Sequence, residues 1–104
     1  MDKETDSLVR QYILKVASQT PGYVTAYVFG SFAKDTQKPE SDIDIAVIID
    51  NLKDSDKFDL QIQLMLLASQ YDTRIEPHPI AKQDLLMGNP FAQEIKKTGI
   101  EISL

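Results

Sequence analysis

A chain of 104 residues, 42% hydrophobic and 26% charged, is the size of one domain and has the composition of a folded globular protein, which excludes compositional disorder. Its 11 Lys and Arg against 16 Asp and Glu give a net charge of −5, so it lacks the basic footprint that holds long nucleic acid. The lack of cysteine excludes disulfides, thiolate catalysis and Cys-based zinc sites, and no apolar run nears the roughly 18 residues that span a bilayer.

The expected organisation is a single domain over residues 1–104, without internal repeat or linker. The opening Met1-Asp2-Lys3-Glu4-Thr5-Asp6 lacks the layout of a signal peptide, so a cytoplasmic protein with no membrane partner is expected. Leu8, Val9, Tyr12, Ile13, Val16 and Ala17 recur at helical spacing, and Thr20-Pro21-Gly22 stops that helix. The β-branched and aromatic run Tyr23 to Phe29 reads as a strand ended by Gly30-Ser31. A short helical turn and a loop occupy Phe32 to Glu40. A second strand runs from about Ser41 to Ile49, and being apolar on both faces past Asp44 it is expected in the middle of a sheet.

After the polar connection Asp50 to Asp56, Phe58, Ile62, Met65, Leu66 and Ser69 form one helical row, with Leu60, Leu64, Leu67, Ala68 and Tyr71 beside it. A helix apolar over more than half its circumference is expected to be well buried. Thr73 to Glu76 reads as a third strand, and Pro77 and Pro79 predict that it ends there or lies near an edge. A last helix from about Pro90 to Lys97, a Gly99 stop and the segment Ile100-Glu101-Ile102 complete the chain. The order predicts an α/β (α+β) fold, a small mixed sheet packed with helices.

One stretch carries chemistry: Phe29-Gly30-Ser31, ten residues, then Asp42-Ile43-Asp44-Ile45. Alternate strand residues face one way, so Asp42 and Asp44 project together with Cα atoms about 6.6 Å apart. At about 5 Å and an effective dielectric of 20, two such carboxylates repel by about 3 kcal/mol. Opening an apolar strand that way is unfavourable unless a cation sits between them or one keeps its proton. A divalent ion with oxygen ligands is the natural remedy, and Mg²⁺ favours one or two carboxylates plus phosphate oxygens. Gly30-Ser31 supplies an anion-binding turn, where backbone N–H groups and a hydroxyl meet phosphate. These are the parts for phosphoryl or nucleotidyl transfer.

Gly30-Ser31-Phe32-Ala33-Lys34-Asp35 followed by Ser41-Asp42-Ile43-Asp44-Ile45-Ala46-Val47 resembles the signature of the polymerase-beta-type nucleotidyltransferase superfamily. More narrowly, it resembles the minimal nucleotidyltransferase (MNT) proteins of about this length. The resemblance implies Mg²⁺-dependent transfer of a nucleoside monophosphate from a triphosphate, usually ATP, to an acceptor hydroxyl. It implies that Gly30 and Ser31 hold phosphate, and that Asp42 and Asp44 are catalytic metal ligands. Glu76 matches the family's third carboxylate, which completes the metal site or accepts the proton of the attacking hydroxyl. One departure is Asp35, where the family commonly has Gly. The resemblance further implies a partner: MNT proteins are often paired with an all-helical HEPN toxin that they neutralise.

Other roles compete with these. His78, flanked by prolines, reads as a structural loop residue; Lys34 and Lys38 read equally as solvated or phosphate-touching; Arg74 is open between pairing with Glu76 and binding triphosphate. A binding module that neutralises a partner by contact alone is the alternative to an active transferase. An Asp-x-Asp glycosyltransferase would leave the upstream Gly-Ser unexplained, and a templated polymerase would need a basic groove. A chain this short is expected to need a HEPN-type partner protein or a second copy to complete its pocket.

Overall fold

The most apolar run of the chain, Ile43–Ile49, forms the central strand around which everything else packs. The structure is a computed structural model and describes residues 1–104. Its elements are α1 (Lys3–Gln19), β1 (Tyr23–Phe29), β2 (Ile43–Ile49), α2 (Asp54–Ala68), β3 (Ile75–Ala81), α3 (Lys82–Leu86), α4 (Pro90–Thr98) and β4 (Ile100–Glu101). The strands form one mixed sheet in the order β3-β2-β1-β4. β2 runs antiparallel to β1 and parallel to β3, and β4 pairs antiparallel with β1. This is the α+β sheet-and-helix fold expected from the sequence.

Strand alternation assigns the two faces. Ile43, Ile45, Val47 and Ile49 of β2 join Ala26 and Val28 of β1 in a core closed by Val9, Tyr12, Ile13 and Val16 of α1 and Leu64, Leu67 and Ala68 of α2. Within it the Tyr12 hydroxyl donates to the Leu64 carbonyl at 2.8 Å, tying α1 to α2. The even-numbered Ala46 and Ile48 face the other way and meet Ile80, Ala92 and Ile95 under α4. Asp44 shares that second face.

α1 begins at Lys3 because the Asp2 carboxylate accepts from the Thr5 amide at 2.7 Å and caps the first turn. Three local expectations are corrected. β2 begins at Ile43, so Asp42 stands just outside the strand. β3 does not end at Glu76: it starts at Ile75 and passes through both prolines to Ala81, on the edge of the sheet as expected. The Pro77 carbonyl turns outward to accept from Gln61 Nε2 at 2.5 Å, and in a strand a residue's nitrogen points to the same side as its carbonyl, so the missing N–H costs no ladder bond. The helix α2 is not well buried; only Leu64, Leu67 and Ala68 are, while Phe58 is 73% and Leu66 66% exposed. The short α3 was not anticipated. No helix is long and apolar enough to cross a membrane.

Candidate active site

The site lies at the start of β2, on the face shared with α4. Parallel pairing sets Asp44 opposite Glu76 and Ala46 opposite His78, so both β3 side chains stand beside the Asp44 carboxylate. On the other side antiparallel pairing sets Asp44 against Phe29, the residue before Gly30. The turn after β1 is thereby pressed onto the aspartate. Gly30 has φ +72, and a Cβ there would lie 2.6 Å from Asp44 Oδ2. A side chain at this position would displace the carboxylate.

From Gly30 the chain turns tightly, with the Lys34 amide donating to the Gly30 carbonyl at 3.2 Å and the Thr36 amide to the Ser31 carbonyl at 2.9 Å. These are turns rather than a helix. Phe32 anchors them in the main core, with the Arg74 guanidinium 5.7 Å above its ring. Ser31 is half-buried in the turn, and Lys34 and Lys38 are exposed on and after it. Asp35 has φ +58, so the position holds the left-handed backbone that glycine adopts most readily.

Asp44, Glu76 and His78 form the tightest group, with one ligand atom from each lying within 4.8 Å of the others. His78 Nε2 is 3.2 Å from Asp44 Oδ1. Asp42 is exposed at the mouth of the group. The Glu76 carboxyl is raised above its ordinary range, first by a hydrogen bond with the Asp42 side chain, then by burial and by the like charges of Asp42 and Asp44; His78 pulls the other way. Crowded carboxylates that hold on to a proton are a donor set that a divalent cation fits, because the ion removes the repulsion.

Arg74 does not join this group. It precedes β3 and is held by Asp72 at 2.8 Å, which keeps the Asp72 carboxyl below its ordinary range through that hydrogen bond. His78, read from the sequence as a loop residue, belongs to the site instead. Glu76 and His78 share strand parity, and because β3 runs on through both prolines to Ala81 that parity holds at His78.

The His78 ring stacks edge-on against Phe29 at 5.2 Å between centroids, and Phe29 against Phe91 of α4 at 5.8 Å. Beside His78 opens a cleft of about 590 Å³ between α2, β3 and α4, lined among others by Phe58, Gln61, Ile80 and Phe91. The site can therefore hold a cation at its acidic end, an anion at the Gly30-Ser31 turn, and a larger group in the adjoining cleft.

Comparison with known proteins identifies the family and the fold. The family model described as polymerase beta, nucleotidyltransferase matches residues 11–103. No curated protein matches the chain significantly. A Sulfolobus solfataricus protein assigned as a nucleotidyltransferase has a similar structure, with TM-score 0.65 at 22% identity over 92% of this chain and 77% of that one. A toxin–antitoxin structure with AMP-PNP aligns at TM-score 0.62 and 26% identity, over 90% and 72% of the respective chains. A mutant of the toxin–antitoxin pair MntA-HpeT, with two Asp-to-Glu changes two positions apart, aligns at TM-score 0.62 and 21% identity over the same shares. At such identities the first and third of these report the fold alone.

Proposed function

The chain belongs to the polymerase beta nucleotidyltransferase family, a family of transferases, and from that premise we propose that it moves AMP from ATP to a hydroxyl on a partner protein. Residues 1–104 act as one minimal nucleotidyltransferase domain in the cytoplasm, and the partner is a HEPN-type toxin for which the chain is the antitoxin. A partner protein and a nucleotide are both suggested by the 26% identical toxin–antitoxin structure with AMP-PNP. The observation that carries the reading is the register: Asp44 and Glu76 are directly opposite on neighbouring strands, with the Gly30 turn against Asp44.

In this reading Asp42, Asp44 and Glu76 hold a divalent cation, Mg²⁺ in the form that accompanies cellular ATP, while Gly30 and Ser31 hold phosphate. The cation supplies charge neutralisation and Lewis acidity at the phosphates. The acceptor oxygen attacks the α-phosphorus, the bond from that phosphorus to the bridging oxygen breaks, and pyrophosphate leaves. The acceptor proton passes to a carboxylate of the trio. The residues of the turn orient the triphosphate, and orientation supplies much of the rate.

A second reading, neutralisation of a partner by contact alone, is favoured by the exposed apolar side chains of α2. One assay separates the two. With ATP labelled at the α-phosphate, a divalent cation and the protein encoded beside this gene, label should move to that protein. Asp42→Ala plus Asp44→Ala should abolish the transfer. Transfer that survives the double substitution removes the carboxylate mechanism, and neutralisation without any transfer establishes the contact reading.

A further inference from the structure

Between β1 and β2 the chain runs from Gly30 to Asp42 without helix or strand, and of residues 31–42 only Phe32 is buried. This connection carries the phosphate turn at one end and the first carboxylate at the other. Its own packing does little to fix the distance between them, so the hold comes from outside it.

Arg74, two residues before Glu76, reaches both ends. Its guanidinium lies 5.7 Å above the ring of Phe32, the second residue after Gly30. Its Nη1 donates to the Pro39 carbonyl at 3.4 Å. Pro39 sits in a turn closed twice, by the Ser41 amide donating to the Lys38 carbonyl at 2.9 Å and by the Lys38 amide donating to Ser41 Oγ at 2.8 Å. A hold on Pro39 is therefore a hold on Ser41, the neighbour of Asp42. On the far side of Asp42, the Ile43 amide donates to the Arg74 main-chain carbonyl at 2.8 Å. Asp42, exposed and outside β2, thus stands between two points that one residue fixes.

The guanidinium is itself aimed. Nε and Nη2 donate to the Asp72 carboxylate at 3.1 and 2.8 Å, and the Arg74 amide donates to the same group at 2.9 Å. That two-pronged hold leaves Nη1 for Pro39 and one flat face for Phe32, which only a planar fork can serve at once. A lysine could keep the ion pair with Asp72, but a single ammonium cannot also cover the ring and bond Pro39.

We propose that Arg74 is a positioning residue: it clamps the connection between β1 and β2 so that Asp42 and the Gly30-Ser31 turn stay in register with Asp44 and Glu76, without touching substrate or cation. What the clamp serves rests on the nucleotidyl-transfer reading. In-line transfer needs the turn-bound phosphates and the cation ligands in one fixed arrangement, and a misplacement of about 1 Å costs on the order of a hundredfold in rate.

The test compares the full chain with Arg74→Lys, which keeps the charge, by amide hydrogen exchange read residue by residue in NMR spectra without nucleotide. The Lys34, Thr36 and Ser41 amides, which close the turns of the connection, should exchange about tenfold faster or more in the variant, with core amides of β1 and β2 changed by less than about threefold. Uniform acceleration across the molecule would mean that Arg74 only stabilises the fold, and unchanged exchange in the connection would mean that it clamps nothing; either overturns the proposal. With ATP labelled at the α-phosphate and the protein encoded beside this gene, kcat should fall about tenfold or more in Arg74→Lys while KM for ATP stays within about threefold.

A raised KM with unchanged kcat would make Arg74 a phosphate-binding residue, and full activity in Arg74→Lys would reduce it to the ion pair with Asp72; each overturns the proposal. If the variant fails to fold, as read by circular dichroism, the wild type decides: the Phe32 ring must shift the Arg74 side-chain protons upfield, and unshifted protons overturn the clamp. Amides that loosen only in the connection, in a chain that transfers no nucleotide, leave the clamp standing and remove the transferase reading. Transfer by a variant whose connection is unchanged does the reverse.

Discussion

At Gly30, two constraints act on one residue: a φ of +72 and a Cβ position 2.6 Å from Asp44 Oδ2. Left-handed backbone costs a non-glycine residue about 1–2 kcal/mol, and here the added methyl also meets a carboxylate held between two strands. Gly30→Ala should therefore lower unfolding free energy by about 2 kcal/mol in urea titration, and should lose most transfer activity because Asp44 must move. Ser31→Ala, which removes only a hydroxyl from the same turn, should leave stability within about 0.5 kcal/mol. Equal losses in the two variants would show that the turn tolerates a side chain at Gly30. Asp35 offers a counterpoint. It occupies the position where the resembled family commonly has glycine, and at φ +58 it keeps the glycine-like conformation, which the short polar side chain of Asp tolerates better than most. The departure in sequence is not a departure in backbone.

Among the elements, α2 shows where sequence reading ran out. Its row of Phe58, Ile62, Met65 and Leu66 has helical periodicity as regular as that of any core, and periodicity alone cannot tell which side of a two-sided apolar helix meets the sheet. The sheet takes the Leu64, Leu67 and Ala68 side, because those residues pack with Tyr12 and the odd-numbered face of β2. Leu66→Lys should accordingly shift stability by no more than about 0.5 kcal/mol, whereas Leu64→Ala should cost about 2–5 kcal/mol, both read by denaturant unfolding. A large loss in Leu66→Lys would mean that this face is covered in solution. By contrast the central place of β2 is legible, though not its first residue, since a run apolar on both faces has no stable place except the middle of a sheet. Of the three carboxylates expected together, Asp44 and Glu76 stand opposite each other on neighbouring strands, whereas Asp42 falls just outside β2. Of the two outcomes the prolines of β3 allow, an end or an edge, the strand takes the edge: with its outward carbonyl bonding Gln61, Pro77 is merely a residue with no donor to lose.

For the molecule as a whole, the two faces of the sheet are unequally covered. α1 and α2 close a core of 16 buried residues on one face, while α4 closes one of 5 on the other, and the acidic group lies on the less covered side. Asp44 and His78 keep 27% and 31% of their side-chain surface exposed, and Asp42 stands in solvent at the mouth of the group. A triphosphate bound here is solvated along one flank, so its contacts are screened and its water incompletely displaced. The chain also carries −5, which opposes the approach of a polyanion unless a cation accompanies it. ATP with a divalent cation should therefore bind the isolated chain only weakly, with a Kd on the order of 0.1 mM or above. A protein partner seated over the open flank would exclude water and supply the missing wall, tightening ATP binding at least about tenfold. Calorimetric titration of the chain alone, and of its complex with the protein encoded beside it, reads both values. Linkage requires that ATP tighten the protein complex by the same factor, which gives the experiment an internal check. Micromolar ATP binding by a chain shown to be monomeric by light scattering would mean that the open face already forms a complete pocket, and the need for a partner would fall with it.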